Sequence, residues 1–95
     1  MRRRPSDSLD EYRNEVYRCI INRGFHSPQI FGSVARGEDT TESDLDLLVT
    51  PGKGVTIFDL SGLTLDFEEL LGIHVDVIST GAPISRVVHE GAIAL

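Results

Sequence analysis

The spacing of apolar residues predicts one long amphipathic helix at the start of the chain. Between Ser6 and Gly24, apolar residues recur at intervals of three and four, which is the period of a helix with one buried face. Ser6 or Ser8 would cap the start of this helix, and Gly24 would end it. The apolar positions are Leu9, Tyr12, Val16, Cys19 and Ile20. We expect residues 1–5 to form a loose tail.

Shorter apolar runs further along the chain predict three strands. Pro28 keeps the backbone extended ahead of Ile30 and Phe31, so the first strand should end at Gly32. The run "DLDLLV" predicts a second strand, which the following "PG" turn would stop. The alternation of apolar and polar residues in "IHVDVIS" predicts the third strand.

The segments between and after these strands predict further helices and one loop. "SVARG" would form a single helical turn, with Ser33 as its N-cap and Gly37 as its stop. "EDTTES" contains no apolar residue and indicates an exposed loop. A second helical stripe runs through "TIFDLSGLTLDFEELLG", with apolar residues at positions 57, 60, 63, 67, 70 and 71 and a stop at Gly72. The tail "APISRVVHEGAIAL" predicts a short helix from about Pro83, then an apolar end that needs cover.

This order of elements, αβ(α)βαβα, predicts an α+β fold with α/β-like organisation. The strand–helix–strand unit from Asp44 to Ser79 favours a right-handed crossover, which makes its two strands parallel. The first two strands are joined by too short a linker for such a crossover, so they should be antiparallel. We therefore expect a small mixed β-sheet flanked by helices. The chain shows no repeat or long linker, so we expect residues 1–95 to form a single domain.

Composition and charge narrow the classes of function. Hydrophobic residues make up 40% of the chain, but no apolar run is long enough to span a bilayer, and the basic start lacks the apolar stretch of a signal peptide. We therefore expect a cytoplasmic protein without a membrane partner. The net charge is -6, and residues 37–76 hold ten acids against one base, Lys53. Direct binding of a nucleic-acid backbone is not expected, because that requires clustered Lys and Arg.

Three aspartates are the strongest candidates for chemistry. Side chains two residues apart on a strand share a face, so Asp44 and Asp46 should project together. Two carboxylates at that spacing repel each other unless a cation lies between them, and Mg²⁺ prefers such oxygen ligands. If Val75 and Val77 face the core, Asp76 points to the opposite face, and adjacent strands would make it the third carboxylate.

A glycine turn beside the first strand could bind phosphate. Gly32 lets the backbone approach a ligand closely, and the free N–H groups that begin at Ser33 favour an anion. Arg36 could add a charge-assisted hydrogen bond. Each feature also has an ordinary interpretation, since Gly-Ser turns are common and paired aspartates occur on the solvated face of a strand. The three histidines form no spaced ligand motif and predict no zinc site; they are His26, His74 and His89.

The combination "GSVARGEDTTESDLDLLV" with "VDVIS" resembles the minimal nucleotidyltransferases, small members of the DNA-polymerase-β-like superfamily. The resemblance covers about residues 25–80 and implies the palm fold of that superfamily. It also implies that Gly32 and Ser33 hold a triphosphate. It assigns metal binding and catalysis to three carboxylates, which are Asp44, Asp46 and Asp76.

The resemblance further implies an activity and a partner. A hydroxyl would attack the α-phosphate of ATP while two Mg²⁺ ions stabilise the attacking and leaving oxygens, and Asp46 or Asp76 would accept the proton. Proteins of this kind resemble antitoxins that transfer AMP to a tyrosine of a HEPN ribonuclease toxin, so a hetero-oligomer is expected. Two alternatives stay open. The acceptor could be a small molecule or an RNA end, or the protein could neutralise its partner by binding without catalysis.

Overall fold

The computed structural model describes residues 3–80 and 91–95, in which helices alternate with the strands of a single sheet. In chain order the elements are α1 (Pro5–Asn22), β1 (Phe25–Phe31), α2 (Gly32–Arg36), β2 (Leu45–Pro51), α3 (Ile57–Leu71), β3 (Val75–Ser79) and β4 (Ile93–Ala94). Across these ranges, every helix is too short or too polar to cross a membrane.

The sheet is mixed, with strand order β3-β2-β1-β4. β2 is antiparallel to β1 and parallel to β3, which confirms both predicted orientations. β2 and β3 are parallel because α3 is long enough to carry the chain back along the sheet, so that both strands start at the same end of the sheet. The mixed sheet with its helices confirms the predicted fold class.

Strand β4 was not predicted as a strand. Its two residues pair with Gln29 and Ile30 of β1, and Leu95 packs against the core, but Ile93 is 51% exposed, so the apolar end is only partly covered within the chain. A strand of two residues is too short to show alternation in the sequence, and β4 forms because β1 offers an edge for pairing. The short helix predicted from about Pro83 lies largely in residues 81–90, outside the described residues.

The core lies between one face of the sheet and the two longer helices. Side chains of α1 and α3 pack on the face that β2 lines with alternate residues, as period-two alternation requires. The fully buried members of this core are Leu9, Val16, Ile20, Leu45, Leu47, Val49, Leu63, Phe67 and Val75. The intervening residues of β2 and β3 are therefore left for the opposite face, where the aspartates lie.

Helix α1 starts earlier than predicted. Its N-cap is Arg4, with extended backbone and no capping side chain, so neither Ser6 nor Ser8 caps it. Proline suits the first helical position because its fixed φ is already helical and it has no N–H to leave unpaired. Pro5 is consequently a buried helix residue, and the expectation that it belongs to a loose tail is wrong.

The other predicted ends agree better with the structure. Gly37 and Gly72 end α2 and α3 in left-handed conformation, at φ 71° and 68°.

Two predictions, for the start of α2 and the start of β1, need correction. The N-cap of α2 is Phe31 rather than Ser33, and β1 begins at Phe25, well before the two predicted strand residues.

Two burial expectations also need correction. Asp39, in the loop predicted to be exposed, is only 6% exposed because its Oδ2 accepts a hydrogen bond from the Ser6 backbone N–H at 2.9 Å. Ile57 was expected on the apolar stripe of α3 but is 73% exposed. It is the first residue of the helix, ahead of the turns that contact the sheet.

Candidate functional site

The parallel pairing of β2 and β3 sets two aspartates side by side. Asp46 and Asp76 are register partners, so their side chains leave the same face of the sheet from neighbouring strands. On the other side of Asp46, its register partner in β1 is Phe31, the last residue before Gly32. Asp46 therefore lies between the glycine turn and Asp76, on the central strand of the three.

Gly32 makes direct room for the Asp46 side chain. A Cβ at this glycine would lie 3.3 Å from Asp46 Cγ and still closer to Oδ2. Gly32 also has φ +73°, which side chains other than glycine rarely adopt. The turn and the carboxylate thus occupy one small space, and both the conformation and the contact favour glycine there.

The environment of Asp46 disfavours its charged form. Partial burial is the main cause, followed by the charge of Asp76 and a hydrogen bond to it, and then the charge of Asp44; together they raise the pKa of Asp46 to about 6. Neutral Asp46 can donate that hydrogen bond, whereas two adjacent carboxylates repel each other. A cation at this position would remove the repulsion.

His74 joins the aspartates from the residue before β3. Its Nε2 lies 3.2 Å from Asp76 Oδ1, and its Nδ1 lies 2.8 Å from Glu68 Oε2 on α3. The hydrogen bond with Glu68, with smaller contributions from the charges of Asp76 and Asp44, raises the pKa of His74. Glu68 also accepts from the Val75 backbone N–H at 3.4 Å, so it fixes the start of β3 and the imidazole together.

The four side chains form what we call the carboxylate–histidine cluster: Asp44, Asp46, His74 and Asp76. One ligand atom from each of Asp44, His74 and Asp76 lies within 4.8 Å of the other two, and these three residues are exposed. Asp46 is coupled to both of the other aspartates by charge. The structure therefore brings the three predicted carboxylates together.

The donor chemistry of the cluster fits a divalent cation. Carboxylate oxygens are the usual protein ligands of Mg²⁺, and after burial the charges of Asp76 and Asp44 contribute to the raised pKa of Asp46. The sequence argument missed His74, because it searched for histidines at metal-ligand spacing. The available signal was simpler: His74 stands two residues before Asp76, on the same face of the alternating run.

The two remaining predicted residues have no described contact with the cluster. Ser33 is half-buried at the second position of α2, and its side chain does not cap that helix. Arg36 is exposed, and its Nε donates to Glu38 Oε2 at 3.0 Å. Their roles in phosphate binding stay predictions.

A cleft adjoins the cluster on the β3 side. Its volume is about 710 Å³, and its walls come from α1, the loop before β2, and the α3–β3 connection. Asp44, Glu68 and His74 line it, together with Arg3 and Ser43. Neither Gly32 nor Asp46 lines this cleft, which meets the cluster at Asp44 and His74.

Comparison with known proteins identifies relatives of the chain. The sequence model of the nucleotidyltransferase domain family matches residues 29–93. A Methanocaldococcus jannaschii protein named "Putative protein adenylyltransferase" is 36% identical over 72 residues, which cover 76% of this chain and 77% of that protein.

Solved structures show the same fold. One described as a "putative minimal nucleotidyltransferase" is 39% identical and superposes with a TM-score of 0.84 over 95% of each chain. A chain in the complex of a tri-AMPylated Shewanella oneidensis HEPN toxin with an MNT antitoxin superposes with a TM-score of 0.69 over 90% of this chain and 70% of that one. At 13% identity, the second likeness concerns the fold alone.

The family match spans the glycine turn, β2 and β3, and therefore every residue of the carboxylate–histidine cluster. The relative that is 36% identical covers most of the chain. The chain belongs to the nucleotidyltransferase family of enzymes.

Proposed function

We propose that this nucleotidyltransferase transfers AMP from ATP to a tyrosine hydroxyl of a cognate HEPN ribonuclease toxin, and so acts as its antitoxin. The observation that carries the chemistry is the position of Asp46, in contact with the glycine turn on one side and with Asp76 on the other. The two halves of a nucleotide-transfer site, one for phosphate and one for metal, thus meet at a single residue.

The metal half would consist of Asp44, Asp46 and Asp76. These are the residues that the chain offers to two Mg²⁺ ions, which when bound would neutralise phosphate charge and act as Lewis acids on the reacting oxygens. Asp46 lies on the central strand and interacts with both of the other aspartates, so it would be the central residue in holding the ions. Replacing it should affect metal binding more than replacing Asp44 alone.

The phosphate half would be the turn at Gly32 and Ser33. The backbone N–H groups that begin at Ser33 would donate to phosphate oxygens bound next to Asp46. The Ser33 hydroxyl supplies a further donor, and Arg36 could leave Glu38 to pair with a phosphate at the edge of the turn. Triphosphate bound there would be positioned on the β1 side of Asp46.

The acceptor hydroxyl would then enter from the cleft on the β3 side. In-line displacement needs the attacking and leaving oxygens on opposite sides of the phosphorus, so an acceptor that enters at Asp44 and His74 would require the departing pyrophosphate to point away from the cleft. Asp46, at the centre of the cluster, is one candidate to receive the proton of the attacking hydroxyl. Asp76, its hydrogen-bond partner, is the second candidate.

The choice of acceptor is supported by the named relatives. The Methanocaldococcus relative is named a protein adenylyltransferase, and the structural neighbour comes from a complex in which a HEPN toxin carries AMP. A toxin bound over the cleft would place a tyrosine hydroxyl beside the cluster.

The test is transfer of label from α-³²P-ATP in the presence of Mg²⁺ to a co-expressed HEPN protein. We expect one labelled protein band, lost when its acceptor tyrosine is changed to phenylalanine and lost in Asp46→Asn. Asp10→Asn is the matched control, because Asp10 is an exposed carboxylate of α1 paired only with Arg13 among the described contacts.

The alternatives correspond to other results of the same assay. Stable complex formation and toxin inhibition without label transfer would show a binding antitoxin. Label on a small molecule or an RNA end, with none on protein, would show a different acceptor. Undiminished transfer by Asp46→Asn would contradict the proposed site.

A further inference from the structure

The geometry points to His74 as a direct ligand of a divalent ion held by Asp44 and Asp76, which would give this site a preference for Co²⁺, an ion that binds imidazole nitrogen better than Mg²⁺ does. The inference rests on the proposed metal site and goes beyond it, because the three carboxylates alone favour Mg²⁺. Glu68 is inferred to be the residue that orients His74 for this role.

The spacing of the ligand atoms in the cluster suits a single metal ion. His74 Nε2 and Asp76 Oδ1 lie 3.2 Å apart. Two ligands that bind one ion at about 2.1–2.2 Å and at right angles are separated by about 3 Å, so these atoms already have the spacing of adjacent ligands. Asp44 supplies a third atom within 4.8 Å of both, which is near the roughly 4.3 Å span of opposite ligands.

The orientation of the His74 imidazole also suits metal binding. His74 Nδ1 lies 2.8 Å from Glu68 Oε2, so in the neutral tautomer that donates its Nδ1 proton to this carboxylate the Nε2 lone pair faces the cluster. A carboxylate behind a metal-binding histidine is a recurrent arrangement, because it fixes the tautomer and makes the nitrogen a better donor. Glu68 is itself fixed by the Val75 backbone N–H.

The cluster is open to solvent at His74. His74 is 59% exposed at its side chain and lines the cleft of about 710 Å³ together with Asp44. An ion could therefore enter from solvent and retain water on its open side. Substitution of so exposed a residue should leave the fold intact, which makes the inference testable by mutation.

The direct test is pulsed electron paramagnetic resonance of Mn²⁺ bound to the full chain. We expect nitrogen modulation of the Mn²⁺ signal in the wild type and its loss in His74→Ala. The matched control is His26→Ala, because His26 is an exposed histidine near the other end of β1 whose ring contacts Ser27. Modulation that persists in His74→Ala, or that is absent from the wild type, would overturn the inference.

Calorimetric titration with Co²⁺ and with Mg²⁺ provides the second measurement. We expect His74→Ala to weaken Co²⁺ binding by about 100-fold and Glu68→Ala by about 10-fold, in the range of ligand-shell effects, while Mg²⁺ binding changes by less than about 3-fold. Equal losses for both metals would show a purely structural role for His74 and would contradict metal ligation.

These measurements separate the inference from the proposed function. Metal binding with nitrogen ligation but no AMP transfer would retain the role of His74 and reject the transfer reaction. AMP transfer with Mg²⁺ that is unaffected by Mn²⁺, together with a nitrogen-free Mn²⁺ signal, would retain the proposed function and reject the role of His74.

Discussion

The missing side chain of Gly32 is the space that the Asp46 carboxylate occupies. No Cβ could be placed at Gly32 without contact to Asp46 Oδ2 and Cγ, and the glycine φ of +73° adds a second reason for the residue. The turn that the sequence suggests as a phosphate site and the strand that it suggests as a metal site are therefore one structure. A substitution in the Gly32 turn should therefore affect Asp46, and a substitution at Asp46 should affect the turn.

Gly32→Ala should damage the site more than the fold. The new Cβ would displace the Asp46 carboxylate from its position beside the turn, and left-handed backbone with a side chain costs about 1–2 kcal/mol. We expect at least a 10-fold loss of metal affinity and of transferase activity. Gly37→Ala is the matched control, because its φ is +71° but nothing lies within 4 Å of the added carbon. Equal effects of the two substitutions on metal binding would show that backbone strain alone is responsible.

Metal binding should strengthen as pH rises through the pKa of Asp46. Since that pKa is about 6, a proton competes with the cation below this pH and is gone above it. We expect Mg²⁺ affinity to increase between pH 5 and about 7, measured by titration calorimetry. Asp46→Asn should bind more weakly and lose most of this dependence. The same slope in the variant would assign the proton to another group.

The stability of the metal-free protein should change in the opposite direction. Because the folded chain raises the Asp46 pKa from 3.8 to about 6, the folded state holds this proton more tightly than the unfolded state does. The contribution of Asp46 protonation to the stability of the folded state is complete below about pH 4 and is lost as pH rises through 6. Urea unfolding in EDTA should therefore show Asp46→Asn to be more stable than the wild type above pH 6, with the difference shrinking toward pH 4. A difference that grows at low pH would contradict this assignment.

Asp39 should be important for stability although it lies in a polar loop. Its buried carboxylate accepts the Ser6 backbone N–H, which is one of the unpaired donors at the start of α1. Asp39→Ala should lower the free energy of unfolding by about 1–2 kcal/mol, measured by urea denaturation. Glu38→Ala, one residue earlier and exposed, should change it by less than about 0.5 kcal/mol. Comparable losses in both variants would exclude a specific role for Asp39.

Gly62 in the middle of α3 is explained by the ion pair beside it. A Cβ at this position would lie 2.7 Å from Arg23 Cζ, and Arg23 Nε donates to Asp66 Oδ2 at 2.9 Å. Gly62→Ala alone should be close to neutral, because the helix gains about 1 kcal/mol while the arginine is displaced. In an Arg23→Ala background, the same substitution should stabilise the protein by about 0.5–1 kcal/mol. No difference between the two backgrounds would show that Arg23 imposes no cost.

The sequence predicted the elements whose pattern is long and local. The helical stripe from Leu9 to Ile20 and the alternation around Asp76 are repeated along several residues, and each repeat points to the same core. Glycines at 37 and 72 marked helix ends because left-handed backbone is required there. The crossover rule then gave the orientation of β3 relative to β2 without any structural information.

What the sequence missed depends on contacts between distant segments. The burial of Asp39 follows from the start of α1, and β4 exists only because β1 offers an edge. The position of His74 beside Asp76 follows from local alternation, but its hydrogen bond to Glu68 requires the end of α3 to face the start of β3. None of these partners can be read from neighbouring residues.

The central place of β2 means that the site can come apart in two separate steps. Asp46 is joined to the glycine turn through β1, whereas Asp76 and His74 reach it through β3, which stands at one end of the described strand order. Hydrogen exchange on β3 could therefore report partial openings in which both third-strand groups depart while the turn and Asp46 remain together. A bound cation would link the two halves, and amide protection along β3 should then rise toward that of the strand beside it.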